Sequence, residues 1–368
     1  MTDILFGNNN RPVLKLLAKR SLKAQKNTIA VLAIMLATLL FTSLFTIAIS
    51  LQTAMQESNM RTIGTSAHAG IKRLSWDEYE LLAADTGIKD IGYSVIIGNA
   101  VGENFNKTPT ELRYADSTYA DLTFNAPDTG RLPEKKNEIA TSRIVLAAMG
   151  LPEEIGTQME LTFVTDTGTF TDTFTLSGIW DGDAVAYRQT MLLSKEYTDH
   201  VAPVIRGETD GTTPTVGTGY IDCVMLMPTE WNIEKQVSTI TSQYGLVERV
   251  SVNDAYGTAT ISVSSMLPLV AGIAVIFIAG YLLIYNVFYI SIAQDIRFYG
   301  MLKTLGTTAR QIRKIVYKKA IRLSLVGIPL GLLFGWPIGR LLLPFIVNML
   351  TDDMRVVTTV NPVIFVVA

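Results

Sequence analysis

The chain has 368 residues, is 48% hydrophobic and has a mean hydropathy of +0.30, too apolar for an ordinary soluble enzyme and too charged for a pure bundle of membrane spans. A single cysteine, Cys223, excludes an intrachain disulfide. Two histidines, His68 and His200, with no His-x-x-x-His or Cys-x-x-Cys spacing, leave zinc and iron chemistry without a ligand set. The formal net charge of −2 conceals blocks of opposite sign separated by hydrophobic runs.

Residues 1–27 carry six Lys or Arg and one acid, Asp3, and read as a cytoplasmic amphipathic lead-in. Residues 28–51, TIAVLAIMLATLLFTSLFTIAISL, carry no charge; about 20 apolar residues cross a bilayer, so this run is the first transmembrane helix. It is longer than the apolar core of a cleaved signal peptide. Residues 52–265 hold 29 acids against 15 bases and form the one block large enough for a folded domain. Residues 266–293 are again uncharged and read as a second span. Residues 294–322 carry eight bases and one acid, Asp295. A third span follows at 323–346, with Arg340 near its far end, where a long side chain can reach the interface. A short outer loop at 347–361 leads through Asn361-Pro362 to residues 362–368, which read as the truncated start of a fourth transmembrane helix. The positive-inside rule puts the N-terminus and residues 294–322 in the cytoplasm and residues 52–265 outside, in a multi-pass protein of the cell membrane.

The outer block is mixed in pattern. SWDEYELLAA (75–84) opens with a capping box, Ser75-x-x-Glu78, and predicts a helix. IGYSVII (91–97) predicts a strand, 144–149 a short helix closed by Gly150, and 160–164 with 169–179 a pair of strands. Residues 203–219, rich in Gly, Pro and Thr, read as a surface loop, and 254–265 as a helix leading back to the second span. The sum is an α+β domain, read as two subdomains. It shows no nucleophile elbow, no HExxH and no histidine–acid pair. Asp77, Asp181 and Asp183 are acids whose spacing does not force them together, as on any solvated acidic surface. No Gly-x-x-x-x-Gly-Lys-Ser/Thr loop occurs anywhere, so the sequence holds no ATP-hydrolysing signature of its own.

The cationic block has an internal break. In RFYGMLKTLGTTARQIRKIVYKKA (297–320), Gly306 precedes a second capping box, Thr308-x-x-Gln311, so the second span extends inward, breaks near 304–308 and gives way to a new helix at about Ala309. Positive-inside topology and anionic lipid account for the charge, but not for a glycine-containing break among Met301, Leu302 and Leu305. In the third span Gly327, Gly331, Gly335 and Gly339 recur every four residues, a spacing that lets membrane helices approach closely or that reflects the tolerance of such helices for glycine. Pro329 and Pro337 are positions for a bend.

The segment RFYGMLKTLGTTARQI resembles the cytoplasmic signature of FtsX-like permeases, the MacB and lipoprotein-releasing type of ABC transporter permease. The matching positions are Arg297, Gly300, Leu302, Lys303, Leu305, Gly306, Gln311 and Ile312. The family's common Glu falls at Phe298, and Asp295 is the acid available to replace it. LAKRSLKAQKNTIAVLAIML (17–36) is similar to the family's lead-in to its first span, and GRLPEKKNEIATSRIVLAAMGLPEEIG (130–156) to the core domain of MacB-type permeases. The resemblance implies an α-helical membrane protein with a large extracytoplasmic α+β domain, a MacB-type core domain, between its first and second transmembrane helices. It implies a permease subunit that is not itself an enzyme and that binds no cofactor. ATP and Mg would be held by a separate ABC ATPase, onto which the eight matching residues would couple by mechanotransmission. The implied partners are that ATPase, a second permease copy or half, the lipid membrane and a peptide, lipoprotein or other envelope substrate, with no nucleic acid. The same architecture would also serve a non-transporting signal transmitter that regulates a cell-wall hydrolase or senses antimicrobial peptides.

Overall fold

A computed structural model describes residues 26–184, 186–207, 215–256, 263–304 and 307–350. The readings of a lead-in before residue 26, of Leu305 and Gly306, and of everything after residue 350, the start of a fourth span included, lie outside the described residues. The chain divides into two units, Gln56–Thr260 and the flanking Met1–Met55 with Ile261–Ala368.

The flanking unit is helical. Helix α1 (Lys26–Ile63) does not stop where hydrophobicity falls after Leu51. Glutamine, alanine and methionine favour helix, and Arg61 pairs with Glu57 one turn back at 3.1 Å, so the backbone runs on through the polar stretch. The other two long helices are Val263–Thr304 and Ala309–Leu350. Among the described residues, α1 from Thr28 to Ile63 and the last helix from Ala309 to Ile346 are long and apolar enough to cross a membrane. Of the predicted helix over 254–265, residues 257–262 lie outside the described residues. Residues 254–256 form a turn, in which Tyr256 N–H donates to the Asn253 carbonyl, and the helix starts at Val263.

The unit Gln56–Thr260 is built on one ten-stranded mixed sheet. In chain order its elements are β1 (Ala69–Leu74), α2 (Trp76–Ala83), β2 (Asp90–Ala100), β3 (Thr110–Ala115), α3 (Ser117–Leu122), β4 (Thr129–Gly130), β5 (Glu138–Ser142), α4 (Arg143–Met149), β6 (Gln158–Thr165), β7 (Gly168–Trp180), β8 (Gln189–Leu193), α5 (Lys195–Val201), β9 (Ile221–Leu226), α6 (Ile233–Gln243) and β10 (Val250–Val252). The helices of the flanking unit that follow are α7 (Val263–Thr304) and α8 (Ala309–Leu350). The strand order is β10-β1-β9-β2-β3-β8-β5-β7-β4, with β6 bridging β2 and β7. Among the described residues only β3/β8 and β5/β7 are parallel. The local signals act where the sequence carries them. Ser75 and Glu78 close a reciprocal capping box on α2, and Gly150 takes the left-handed conformation that ends α4. The alternating run in β6 and β7 makes an antiparallel hairpin from Gln158↔Thr175 to Thr165↔Gly168.

Two large cores sit on this single sheet, where the sequence suggests two subdomains, with a smaller cluster of Ala115, Ala120, Ala140, Trp180 and Leu192 beside them. One gathers Ile97, Leu112, Phe163, Phe174, Leu146 and Tyr197 around β5–β8, α4 and α5. The other gathers Ile71, Leu74, Leu82, Val95, Met225 and Val237 around β1, β9, α2 and α6. Strands β2 and β3 run through the middle, so the halves share a hydrogen-bonded backbone rather than a linker.

Candidate functional site

Helix α7 ends at Thr304 and α8 begins at Ala309. Thr308 caps α8: its N–H donates to Gln311 Oε1 at 2.9 Å, and its hydroxyl accepts from the Gln311 N–H at 3.4 Å. These two bonds satisfy donors that an uncapped helix start leaves open. Arg297, Gly300 and Lys303 are exposed on α7, while Gln311 and Ile312 are half-buried at the head of α8. The apolar side chains of Ile296 and Met301 are exposed beside them, at 62% and 60%. Asp295, near the vacant position of the family's Glu, bonds Lys319 of α8 at 2.8 Å. Lys319 is only 7% exposed, and the pair ties α7 to α8 beside the break.

Above this junction α8 buries every fourth residue: Ile315, Lys319, Leu323, then Gly327, Gly331, Gly335, Gly339 and finally Leu343. The face of α1 that meets the glycines has the same period, with Ala30, Ile34, Thr38, Thr42 and Thr46 buried. The approach is close enough to exclude any side chain on α8. A Cβ on Gly327 would lie 2.8 Å from Ile34 Cγ2, one on Gly335 2.6 Å from Thr42 Cβ, and one on Gly339 2.8 Å from Thr46 Cβ. Gly331 faces Thr38 in the same way. The hydroxyls in this seam are satisfied within α1, Thr42 donating to the Thr38 carbonyl and Thr46 to the Thr42 carbonyl, each at 2.7 Å. The contact itself is van der Waals packing of the α8 backbone on the backbone and Cβ groups of α1. Helix α7 touches α1 through rings instead, with Phe41 packed on Phe277 at 5.2 Å and over Gly280.

In the outer domain, the motif at 130–156 is a folding device. Gly130 has φ +82, and its Cα lies against the Ser177 carbonyl, where a side chain has no room. The turn then aims Arg131 back at Glu138 in a two-pronged pair at 2.8 and 2.7 Å, and Glu138 also accepts from the backbone of Glu134 and Lys135. The Arg131 guanidinium lowers the Glu138 carboxyl to a pKa of about 2. Arg143 gathers Asp128, Asp181 and Glu153. Asp181 is therefore an ion-pair partner, as is Asp183 toward Arg61 at 3.7 Å and Asp77 toward Arg206 at 3.3 Å. His68 accepts from the Met227 N–H at 2.9 Å through Nδ1, and burial lowers its pKa, so it sits neutral in the wall. Among the described residues no group of three His, Cys, Asp or Glu could hold a metal ion.

One cluster has no local sequence signal. Arg113 on β3 is 13% exposed and bonds Glu111 at 2.9 Å, Asp222 at 2.8 Å and Ser94 at 2.8 Å. Its partners lie up to 109 residues away and meet only because β9 and β3 both flank β2.

Among the described residues, two helices are long and apolar enough to cross a bilayer, and in sequence they stand on either side of the folded sheet domain. Residues 269–368, which begin inside α7 and take in the break and α8, match the FtsX-like permease C-terminal family. No curated protein matches the chain. Among solved structures it is similar to the extracellular domain of the noncanonic ABC-type transporter YknZ from Gram-positive bacteria, with 12% identity and a TM-score of 0.31, over 50% of this chain and 98% of that one. The periplasmic region of MacB from Actinobacillus actinomycetemcomitans is similar at 14% identity and a TM-score of 0.35, over 55% and 96%. A domain of a permease protein from Porphyromonas gingivalis is similar at 13% and 0.31, over 48% and 84%.

Proposed function

We propose that the chain is the permease subunit of an ABC transporter of the FtsX type, and that it couples ATP hydrolysis by a separate ATPase subunit to movement of its outer domain for export or extraction of a peptide, lipoprotein or other envelope substrate. The observation that supports this reading most directly is the capped break between α7 and α8, inside the segment that matches the FtsX-like family. Helix α7 ends at Thr304 with exposed apolar groups beside it, and α8 begins at Ala309 behind the Thr308 cap. ATP and Mg stay with the ATPase. In this reading the chain spans the membrane several times with its N-terminus in the cytoplasm, beside a second permease copy or half.

Leu302, Leu305 and Gly306 form the knob that enters a groove of the ATPase, and few residues carry most of such a contact. Arg310, Arg313, Lys314 and Lys318 lie against anionic headgroups, each contributing about 1 kcal/mol. The test is co-purification of an ABC ATPase subunit with the full-length protein. Leu305→Asp is expected to lose the ATPase while membrane insertion persists, and Lys314→Ala to keep it. Loss of the ATPase with Lys314→Ala and not with Leu305→Asp would show the segment to be an electrostatic anchor.

A further inference from the structure

A cavity of about 610 Å³ opens within the outer domain, wholly inside the unit Gln56–Thr260. Its size is that of a site for a small organic ligand. The cavity runs against the charge of its surroundings. Residues 52–265 hold 29 acids and 15 bases, yet five cations line this wall: Arg61, Lys72, Arg73, Arg113 and Arg188. Three carboxylates, Glu111, Asp183 and Asp222, line it with them, leaving a surplus of two positive charges.

The surplus is located. Arg61 is engaged by Glu57 and Asp183. Arg113 spends Nε and Nη1 on Glu111, Ser94 and Asp222, but Nη2 has no partner among the described residues. Arg188 reaches Glu111 only at 3.9 Å and is half exposed. Lys72 is exposed and makes no ion pair among the described residues. A guanidinium edge, a second guanidinium and an ammonium thus face one space from β3, the 181–188 loop and β1.

The backbone supports the same point independently. Three non-glycine residues among those described have positive φ, and two of them, Arg73 at 62° and Phe124 at 59°, line this cavity. Arg73 sits in the irregularity of β1 between Ile71 and Leu74, where its N–H donates to Asp222 Oδ1 at 3.0 Å. Bulges re-aim side chains, and left-handed non-glycine backbone persists where the surroundings hold it, most often at ligand clamps. Phe124 carries the Arg61 guanidinium on its ring at 4.6 Å, and Trp180 and Tyr187 add aromatic surface to the wall.

We propose that this cavity binds a phosphate-bearing ligand, its phosphate held by Lys72, Arg188 and the free edge of Arg113, its remaining body lying against Phe124, Trp180 and Tyr187. A phosphate monoester carries about −1.5 to −2 charges at neutral pH, the sign complementary to these donors, and guanidinium groups pair with phosphate through two parallel hydrogen bonds. The site is independent of the coupling segment, so it stands or falls apart from the ATPase reading.

The test uses the full-length chain in detergent, titrated calorimetrically with phenyl phosphate, and with phenol as the neutral body. Phenyl phosphate is expected to bind in the millimolar range or tighter and to weaken with salt, and phenol to bind at least tenfold more weakly. Lys72→Gln with Arg188→Gln should weaken phenyl phosphate about tenfold, Lys72→Arg should retain it, and Lys235→Gln, on α6, should leave it unchanged. Competition identifies the source of the phosphate. Displacement by dihexanoyl phosphatidate at lower concentration than by inorganic phosphate marks a lipid headgroup, and the reverse marks a free anion. Equal binding of phenol, no phenyl phosphate binding, or wild-type affinity in the Lys72→Gln/Arg188→Gln protein overturns the proposal.

Discussion

At the scale of single residues, charge in the outer domain is spent on holding turns. Glu138 accepts four hydrogen bonds from Arg131 and the 134–135 backbone. Because its folded pKa of about 2 lies below the ordinary 4.5, its contribution is fully present above pH 4.5 and is lost as pH falls toward 2. Glu138→Gln should therefore lower the thermal midpoint of the full chain at pH 6, and the gap from wild type should narrow below pH 4.5 and close by about pH 1.5, beneath the folded pKa. A gap of equal size at the two extremes would mean that the side chain acts through packing rather than charge. Cys223 behaves oppositely: buried on β9 at 1% exposure, its thiol is pushed up to about 12 by desolvation, which makes it unreactive.

At the scale of elements, the seam between α1 and α8 is a close contact of two helices. Gly331→Leu or Gly335→Leu must push the two helices apart, because a Cβ on Gly335 would already lie 2.6 Å from Thr42 Cβ. The cost should be on the order of 1–2 kcal/mol, read as a lower thermal midpoint in detergent, while Leu333→Ala on the exposed face should change little. Unchanged midpoints in both glycine variants would remove the seam from the stability of the protein. Such elements differ in how far the sequence discloses them. The Ser75 and Thr308 capping boxes, the Gly150 stop and the β6–β7 hairpin are local: residues within a few positions decide them, so pattern alone finds them. The run of α1 past Leu51 is hidden because hydropathy reports the solvent, not the backbone, and a helix that leaves apolar surroundings need not end there. The cluster around Arg113 is hidden for another reason, since strand order, not spacing, brings Asp222 to it.

At the scale of the whole molecule, the alternation of basic and acidic blocks predicts which parts face which side. In intact cells, Lys107→Cys should react with an impermeant maleimide and Thr308→Cys should not, with the native Cys223 silent in both. Reaction at Thr308 from outside would reverse the orientation. The sheet order carries one more consequence, in time rather than space. Strand β1 is the first of the outer domain to emerge, yet both its neighbours, β9 and β10, are among the last, with Ala69 opposite Met225 and Val252. Through most of synthesis β1 has no strand to pair with, and loop closure over such separations slows folding. The half built on β5–β8 can assemble earlier from nearer segments. The half that holds the chain's entry and exit closes only when residue 252 arrives, so the nascent domain is most vulnerable to aggregation and proteolysis just before its last strand is delivered.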